Sequence, residues 1–357
     1  MHDTFFKQKA GITSLTYILV VALCILLTGC TINLLPTSSN QSSCSNPCTF
    51  GSGVQNVQVF VEPEAGEQPI LAAMQSAKKS IWLEMYLLTD RNVLRALEEA
   101  ANRGVDVRVM LEPHPFGGGS SPARTLDQLN AAGAKVQPSS PAFSLTHEKG
   151  MIIDGTTVYI MTSNFTRSAL GGSSGSSSVS NREYDIIDTN PDDVSAAISI
   201  FQADWDHTPA SFNDPNLVVS PVNSRNAFLT LINSTHNTLL LETEEMNDTA
   251  IEQALVNVAQ HGIHVQVILP APQGSSTDTN SLGIATLRQG GVQVREDARL
   301  YMHAKMIVVD GQRAFVGSEN ISAQSLDQNR ELGILVADQN VLHTLQQTFQ
   351  GDWTDSH

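Results

Sequence analysis

Three polar residue types recur at fixed spacing in two distant parts of the chain. His147, Lys149 and Asp154 stand in THEKGMIID, and His303, Lys305 and Asp310 in MHAKMIVVD, both as His-x-Lys-x4-Asp. An asparagine follows each histidine by 17 residues, as Asn164 and Asn320. The intervening apolar runs suit buried strands, and in a strand positions i and i+2 share a face, so each histidine points the same way as its lysine. Imidazole, with an unperturbed pKa of about 6.5, can attack as a neutral base or hand over a proton when charged. Lysine and asparagine supply fixed donors to negative charge. Two such sets facing one another can attack an anionic centre from one side and protonate a leaving group on the other.

The elements that must carry these residues are also written twice. ALEEAANRGVDVRVMLEP from Ala96 aligns with ALVNVAQHGIHVQVILP from Ala254 at a shift of 158, as do Pro63 with Pro221 and Leu83-Glu84 with Leu241-Glu242. The shift is 156 at the histidines and 148 from Glu183 and Glu331 onward, because the first copy holds an extra loop, Gly171 to Ser180. The chain therefore reads as two repeats, 54–210 and 217–357. In each, a helical pattern (68–79; 225–235) leads to an apolar strand (80–87; 238–242) and an amphipathic helix ending at Gly104 or Gly262. A strand (105–111; 263–269), a short helix (123–132; 281–289) and the histidine strand follow. Two further strands (157–163 and 184–188; 314–318 and 332–336) precede a closing helix near Trp205 or Trp353. Strands alternating with helices predict an α/β fold of two similar α-β-α sandwich repeats, packed about a pseudo-twofold axis.

With Gly317-Ser318-Glu319-Asn320 added, the second copy resembles the motif of the phospholipase D superfamily, the His-Lys-Asp phosphodiesterases. The first copy departs from it, reading Met161-Thr162-Ser163-Asn164. The resemblance covers nearly all of the chain after residue 53. It implies a metal-independent reaction without a cofactor, in which His147 attacks phosphorus and His303 protonates the leaving oxygen. Lys149, Lys305, Asn164, Asn320 and Ser318 would hold the phosphate. Each imidazole needs a partner to fix its tautomer, and Glu183 in NREYD and Glu331 in NRELG occupy matching positions. Asp154 and Asp310 complete the motif and are counted with the catalytic residues, although in the family they support local structure. Both sets lie in one chain, so a monomer suffices for a complete site.

A net charge of −16, from 36 acidic and 20 basic residues, disfavours the broad phosphate-neutralising surface of nucleic-acid binding. At the N-terminus, residues 1–29 read as a signal peptide: Lys7 and Lys9 precede the apolar run 17–27, which ends in Leu27-Thr28-Gly29-Cys30. That tetrapeptide resembles the lipobox of bacterial lipoproteins, which implies a lipid-modified Cys30, a membrane anchor and an extracytoplasmic location. Residues 30–53, rich in Ser, Asn, Pro and Gly, form the expected tether, where Cys44 and Cys48 could close a small disulfide.

These readings favour a phospholipase D-type enzyme acting on membrane phospholipid headgroups, by hydrolysis or by transfer. The alternatives are a secreted nuclease of the same superfamily, a cardiolipin synthase-like transferase, and a non-catalytic phosphate-binding module. Glu84 and Glu242 suit a structural role, Arg182 and Arg330 suit salt bridges within the fold, and His114 and His207 suit loops.

Overall fold

The computed structural model describes residues 50–116, 121–171, 179–272 and 278–357, together with the backbone of Ser43–Cys44. The expected signal segment 1–29, Cys30, most of the tether, the side chains of Cys44 and Cys48, and residues 172–178 of the extra loop lie outside the described residues. Among the described residues no helix is long and apolar enough to cross a membrane.

Each repeat builds one mixed sheet of the same strand order. In the first it runs Gln58–Glu62, Asn181–Asp188, Thr157–Met161, Lys149–Ile153, Ser80–Met85, Asp106–Leu111 and Lys135–Pro138. In the second it runs Leu217–Ser220, Glu331–Val336, Arg313–Gly317, Lys305–Val309, Thr238–Thr243, His264–Pro270 and Gln293–Asp297. The strands Ser80–Met85 and Thr238–Thr243 are parallel to their neighbours on one side and antiparallel to the histidine strands on the other. Every residue of Lys149–Ile153 and Lys305–Val309 is buried, which explains their near-continuous apolar character. The helices Arg91–Asn102 and Thr249–Gln260 start at Asp90 and Asp248, whose carboxylates accept the exposed amides of the first turn.

Besides the short pair Ser43–Cys44 and Ser211–Phe212, four strands of these two seven-strand orders escape the sequence reading: Gln58–Glu62, Leu217–Ser220, Lys135–Pro138 and Gln293–Asp297. The last two, KVQP and QVRED, lie at sheet edges with little buried surface and show no clean apolar alternation. The first helix stops at Ser76 rather than 79, and its counterpart at Asn233 rather than 235. The cause is competition for amides. Asp154 accepts from the backbone N–H of Lys78, Lys79 and Ser80, and Asp310 from those of His236, Asn237 and Thr238.

Three apolar clusters hold the molecule. One lies against the outer helices of each repeat, whereas the third is common to both. This shared core joins Val158, Ile160 and Ile186 of the first sheet to Met306, Val308 and Ile334 of the second, with the helices Pro191–Trp205 and Gln339–Asp355 alongside. The repeats are also cross-linked by charge: Arg182 pairs with Asp352 and Arg330 with Asp204, at 2.6 and 2.7 Å, all four side chains being at most 3 % exposed. Each pair joins a residue at, or just before, the start of a strand in one repeat to the closing helix of the other.

The motif aspartates occupy hairpin turns. Asp154 and Gly155 have φ of 55° and 68°, Asp310 and Gly311 of 53° and 62°, the two consecutive left-handed residues of a tight hairpin connection. Asp154→Ala and Asp310→Ala should each cost about 2–3 kcal/mol in urea unfolding, from lost charge-assisted hydrogen bonds and a strained turn, with activity per folded molecule largely retained. Arg330→Met should cost more, about 3–5 kcal/mol, because Asp204 is left buried without its cation. A loss under about 1 kcal/mol would show that the ion pair contributes nothing net.

Candidate active site

The residue register explains how the two histidines come together. Tyr301 and Met302, from the second repeat, pair in parallel with Asn181 and Arg182 of the first, which brings His303 alongside Glu183. Reciprocally, the His147 amide donates to the Arg330 carbonyl at 2.9 Å, and the Arg330 amide to that of Leu145 at 2.9 Å, bringing His147 alongside Glu331. The imidazole–carboxylate pairs are therefore crossed. His147 Nδ1 lies 2.9 Å from Glu331, and His303 Nδ1 lies 2.8 Å from Glu183. With Nδ1–H donated to a carboxylate, each ring turns Nε2 to the cavity, where that of His303 lies 3.5 Å from Glu244.

Both carboxylates are fixed in turn. Asn181 and Thr162 donate to Glu183, at 2.9 and 2.7 Å; Asn329 and Ser325 donate to Glu331, at 3.2 and 2.7 Å. Strand alternation accounts for the repeated Asn-Arg-Glu: asparagine and glutamate share the face toward the histidine, while the arginine between them points to the opposite repeat's aspartate.

His147 and His303 line one cavity of about 740 Å³, shared with Asn164, Asn320, Tyr86, Glu244 and Tyr301. Lys149 and Lys305 lie just below its surface, each donating from Nζ to the carbonyl of its own histidine. Asn164 accepts the Leu87 amide at 3.2 Å through its carbonyl oxygen, leaving its NH2 for a ligand. Three groups of the motifs are not brought to the cavity. Asp154 and Asp310 lie at the far ends of the histidine strands, in the turns described above. Ser318 is fully buried and its hydroxyl accepts the Leu332 amide at 3.0 Å, the same task that Thr162 performs toward Tyr184. A phosphate-holding role for Ser318 and a catalytic one for the aspartates therefore give way to structural roles.

The departure of the first motif from Gly-Ser has a packing cause. Gly317 faces Gly333 across the sheet, and the buried Glu319 carboxylate fills the space beside them, so a Cβ on Gly317 would lie 2.6 Å from Glu319. In the first repeat Met161 faces Asp185, and Ser163 replaces the glutamate, donating to Asp185 at 2.6 Å. Each repeat thus buries one carboxylate here, from within a strand in the first and from just past a strand end in the second. Burial raises both Asp185 and Glu319 well above the usual carboxylate range.

Burial acts strongly on the first motif. Burial, with Lys149 and Lys305 nearby, holds His147 below its ordinary value despite Glu331, favouring a neutral ring with a free Nε2 lone pair. Burial takes Lys149 down to about 7. Glu84 and Glu242 lie outside the cavity in buried clusters. Glu84 sits with Glu148 and Asp204, burial raising it strongly and raising Glu148 to about 8; Glu242 accepts the Tyr184 hydroxyl at 2.6 Å. Sequence reasoning did not single out Glu244, Tyr86, Tyr301, Asn181 or Asn329. Extending the matched strands two residues past Glu84 and Glu242 would have exposed the first two.

The family sequence model described as cardiolipin synthase, PLD-like domain matches residues 70–205 and again 228–353. The chain belongs to the phospholipase D superfamily. Within it, the cardiolipin synthase of Oceanobacillus iheyensis is 25% identical over 334 residues, spanning 83% of this chain and 68% of that protein. A cardiolipin synthase of Clostridium perfringens is 23% identical over 83% of this chain and 70% of that one. In fold, the chain resembles the phosphatidylserine synthase of Haemophilus influenzae, with a TM-score of 0.64 at 15% identity, covering 85% of this chain and 88% of that one. It is also similar to the polyphosphate kinase of Porphyromonas gingivalis, with a TM-score of 0.65 at 16% identity over 82% of this chain and 46% of that one.

Lys149 gives a pH dependence. Its ammonium is lost as pH rises through about 7 in the free site, so kcat/KM should fall above neutrality. A bound anion retains the proton, so kcat should fall at higher pH than kcat/KM does. A kcat/KM profile that stays flat through pH 9 would show that Lys149 keeps its charge without substrate.

Proposed function

We propose that this protein is a phosphatidyl-group transferase, exchanging the alcohol on a membrane phospholipid through a phosphohistidine on His147. The observation that supports it most is one cavity lined by both histidines, each backed by a buried carboxylate of the other repeat. In the first step His147 Nε2 attacks phosphorus, the bond from phosphorus to the headgroup oxygen breaks, and His303 gives that oxygen its proton. In the second, an incoming alcohol loses its proton to His303 as its oxygen attacks phosphorus, and the N–P bond breaks. Lys149, Lys305, Asn164 and Asn320 stabilise charge on the non-bridging oxygens in both steps. The reaction is written without a metal or cofactor.

Transfer takes precedence over hydrolysis because the curated relatives are cardiolipin synthases. Water in place of the alcohol gives the hydrolase with the same residues. The rim supports a lipid substrate over a nucleic acid. Among the described residues, Phe116, Val179 and Leu282 are the large apolar side chains left exposed, and Phe116 and Val179 line this cavity. The lipobox-like segment ending at Cys30 is consistent with an exported chain tethered to the membrane that holds its substrate.

The test is product analysis on phosphatidylglycerol and phosphatidylcholine vesicles with labelled glycerol. Labelled phospholipid should exceed phosphatidate; phosphatidate alone would make the protein a hydrolase. His303→Ala should lower turnover by about 10²–10⁴-fold on natural headgroups. With an aryl phosphodiester, whose leaving group needs no proton, the same variant should still accumulate phosphoenzyme after an alkaline denaturing quench, and His147→Ala should not. The reverse pattern would exchange the two roles.

A further inference from the structure

The two halves match down to the hydrogen bonds of their histidines and diverge in the cavity at Leu87 and Glu245, at Leu145 and Tyr301, and, nearest the motif lysines, at one further pair. The strands Ser80–Met85 and Thr238–Thr243 both run into the cavity, and the matched position is Tyr86 in the first repeat but Glu244 in the second. Glu244 Oε2 lies 2.8 Å from Lys305 Nζ, 3.4 Å from Asn320 Nδ2 and 3.5 Å from His303 Nε2, while Oε1 accepts the Tyr301 hydroxyl at 3.0 Å. Lysine, asparagine and histidine are the three groups the second motif offers to a phosphoryl oxygen, and all three converge on one carboxylate oxygen.

The first half has no such occupant. Lys149 Nζ meets its own histidine's carbonyl and the face of Tyr86, 5.4 Å from the ring centroid. A carboxylate is therefore not needed to bury the motif lysine. Although burial works against its charge, Glu244 is held far below the usual carboxylate range by Lys305 and His303, so it is anionic throughout the working range.

We propose that Glu244 is a specificity-determining residue, a fixed negative charge in the phosphoryl site that admits singly charged phosphodiesters and turns away doubly charged phosphate monoesters. This rests on reading the cavity as a phosphoryl-transfer site. Coulomb repulsion is linear in the ligand's charge, so an n-fold penalty on a monoanion becomes an n²-fold penalty on a dianion in the same place. The excluded class includes inorganic phosphate and the phosphatidate that hydrolysis would leave behind. The transferase would thereby escape occupation by the monoester of its own side reaction. The fold also occurs in a polyphosphate kinase, so the scaffold alone does not restrict charge.

The test measures binding, without turnover, of dimethyl phosphate (monoanion) and methyl phosphate (a dianion at pH 8, its second pKa being about 6). Dissociation constants are compared for the unaltered chain and Glu244→Gln, whose folding is checked by thermal melting. If dimethyl phosphate tightens about 5-fold in the variant, methyl phosphate should tighten about 25-fold. Equal gains for the two ligands, or none, would overturn the proposal, since a steric or hydrogen-bonding role does not count charge. Glu244→Asp, which keeps the charge, should keep the discrimination; Glu244→Tyr, copying the first repeat, serves if the glutamine variant does not fold. A chain that discriminates between the two phosphates yet transfers no phosphatidyl group would remove the transferase reading and leave this one standing. Intact transfer with equal gains would do the opposite.

Discussion

The architecture depends on an exchange: each repeat supplies a histidine whose orienting carboxylate belongs to the other. The crossing arises in the backbone, where the segment before His303 pairs with Asn181 and Arg182, and the segment before His147 with Arg330. Separating the repeats would strip both imidazoles of their acceptors at once, and also break the crossed pairs Arg182–Asp352 and Arg330–Asp204. In each case residue i of one half meets residue j of the other and the reverse also holds, which is the signature of an isologous twofold contact, here made within one chain.

Such a contact is costly to dismantle because its polar members are buried. Two guanidiniums and their aspartates lie in the shared apolar core, where desolvation is repaid only while every partner is present. The neighbouring Glu84, Glu148 and Glu242 have no cation to spare for each of them, and burial instead favours their protonated forms. The interface thus positions the histidines by rigid geometry while adding little free negative charge beside the cavity.

Much of this was legible in the sequence, because the duplication multiplies weak signals. A single His-x-Lys is a common accident; two, with Asn at the same distance and Asn-Arg-Glu beyond, specify one site twice. The helices and inner strands follow from periodicity. The crossed pairing was not legible, since Glu183 lies nearer in sequence to His147 than to His303 and only the parallel register of Tyr301–Met302 assigns it to the latter. The role of Ser318 was hidden for a similar reason. Its hydroxyl suits a phosphate as well as a backbone amide, and its burial beside Leu332 decides between them.

Duplication also leaves each copy free to diverge where symmetry is not required. The carboxylate of Asp185 has its counterpart in Glu319, two residues past the end of the neighbouring strand, with Gly317 and Gly333 clearing the space it needs, and the change leaves the adjoining ladder intact. Tyr86 and Glu244 diverge inside the cavity, where the consequence is chemical. A ring beside Lys149 leaves that lysine without a counter-ion at the cavity, whereas a carboxylate beside Lys305 gives the second half a permanent one. The two histidines then face different fields although their Nδ1 partners are the same, and a symmetric scaffold acquires two distinguishable faces. Where one imidazole attacks and the other carries a proton, that inequality biases which ring takes which role.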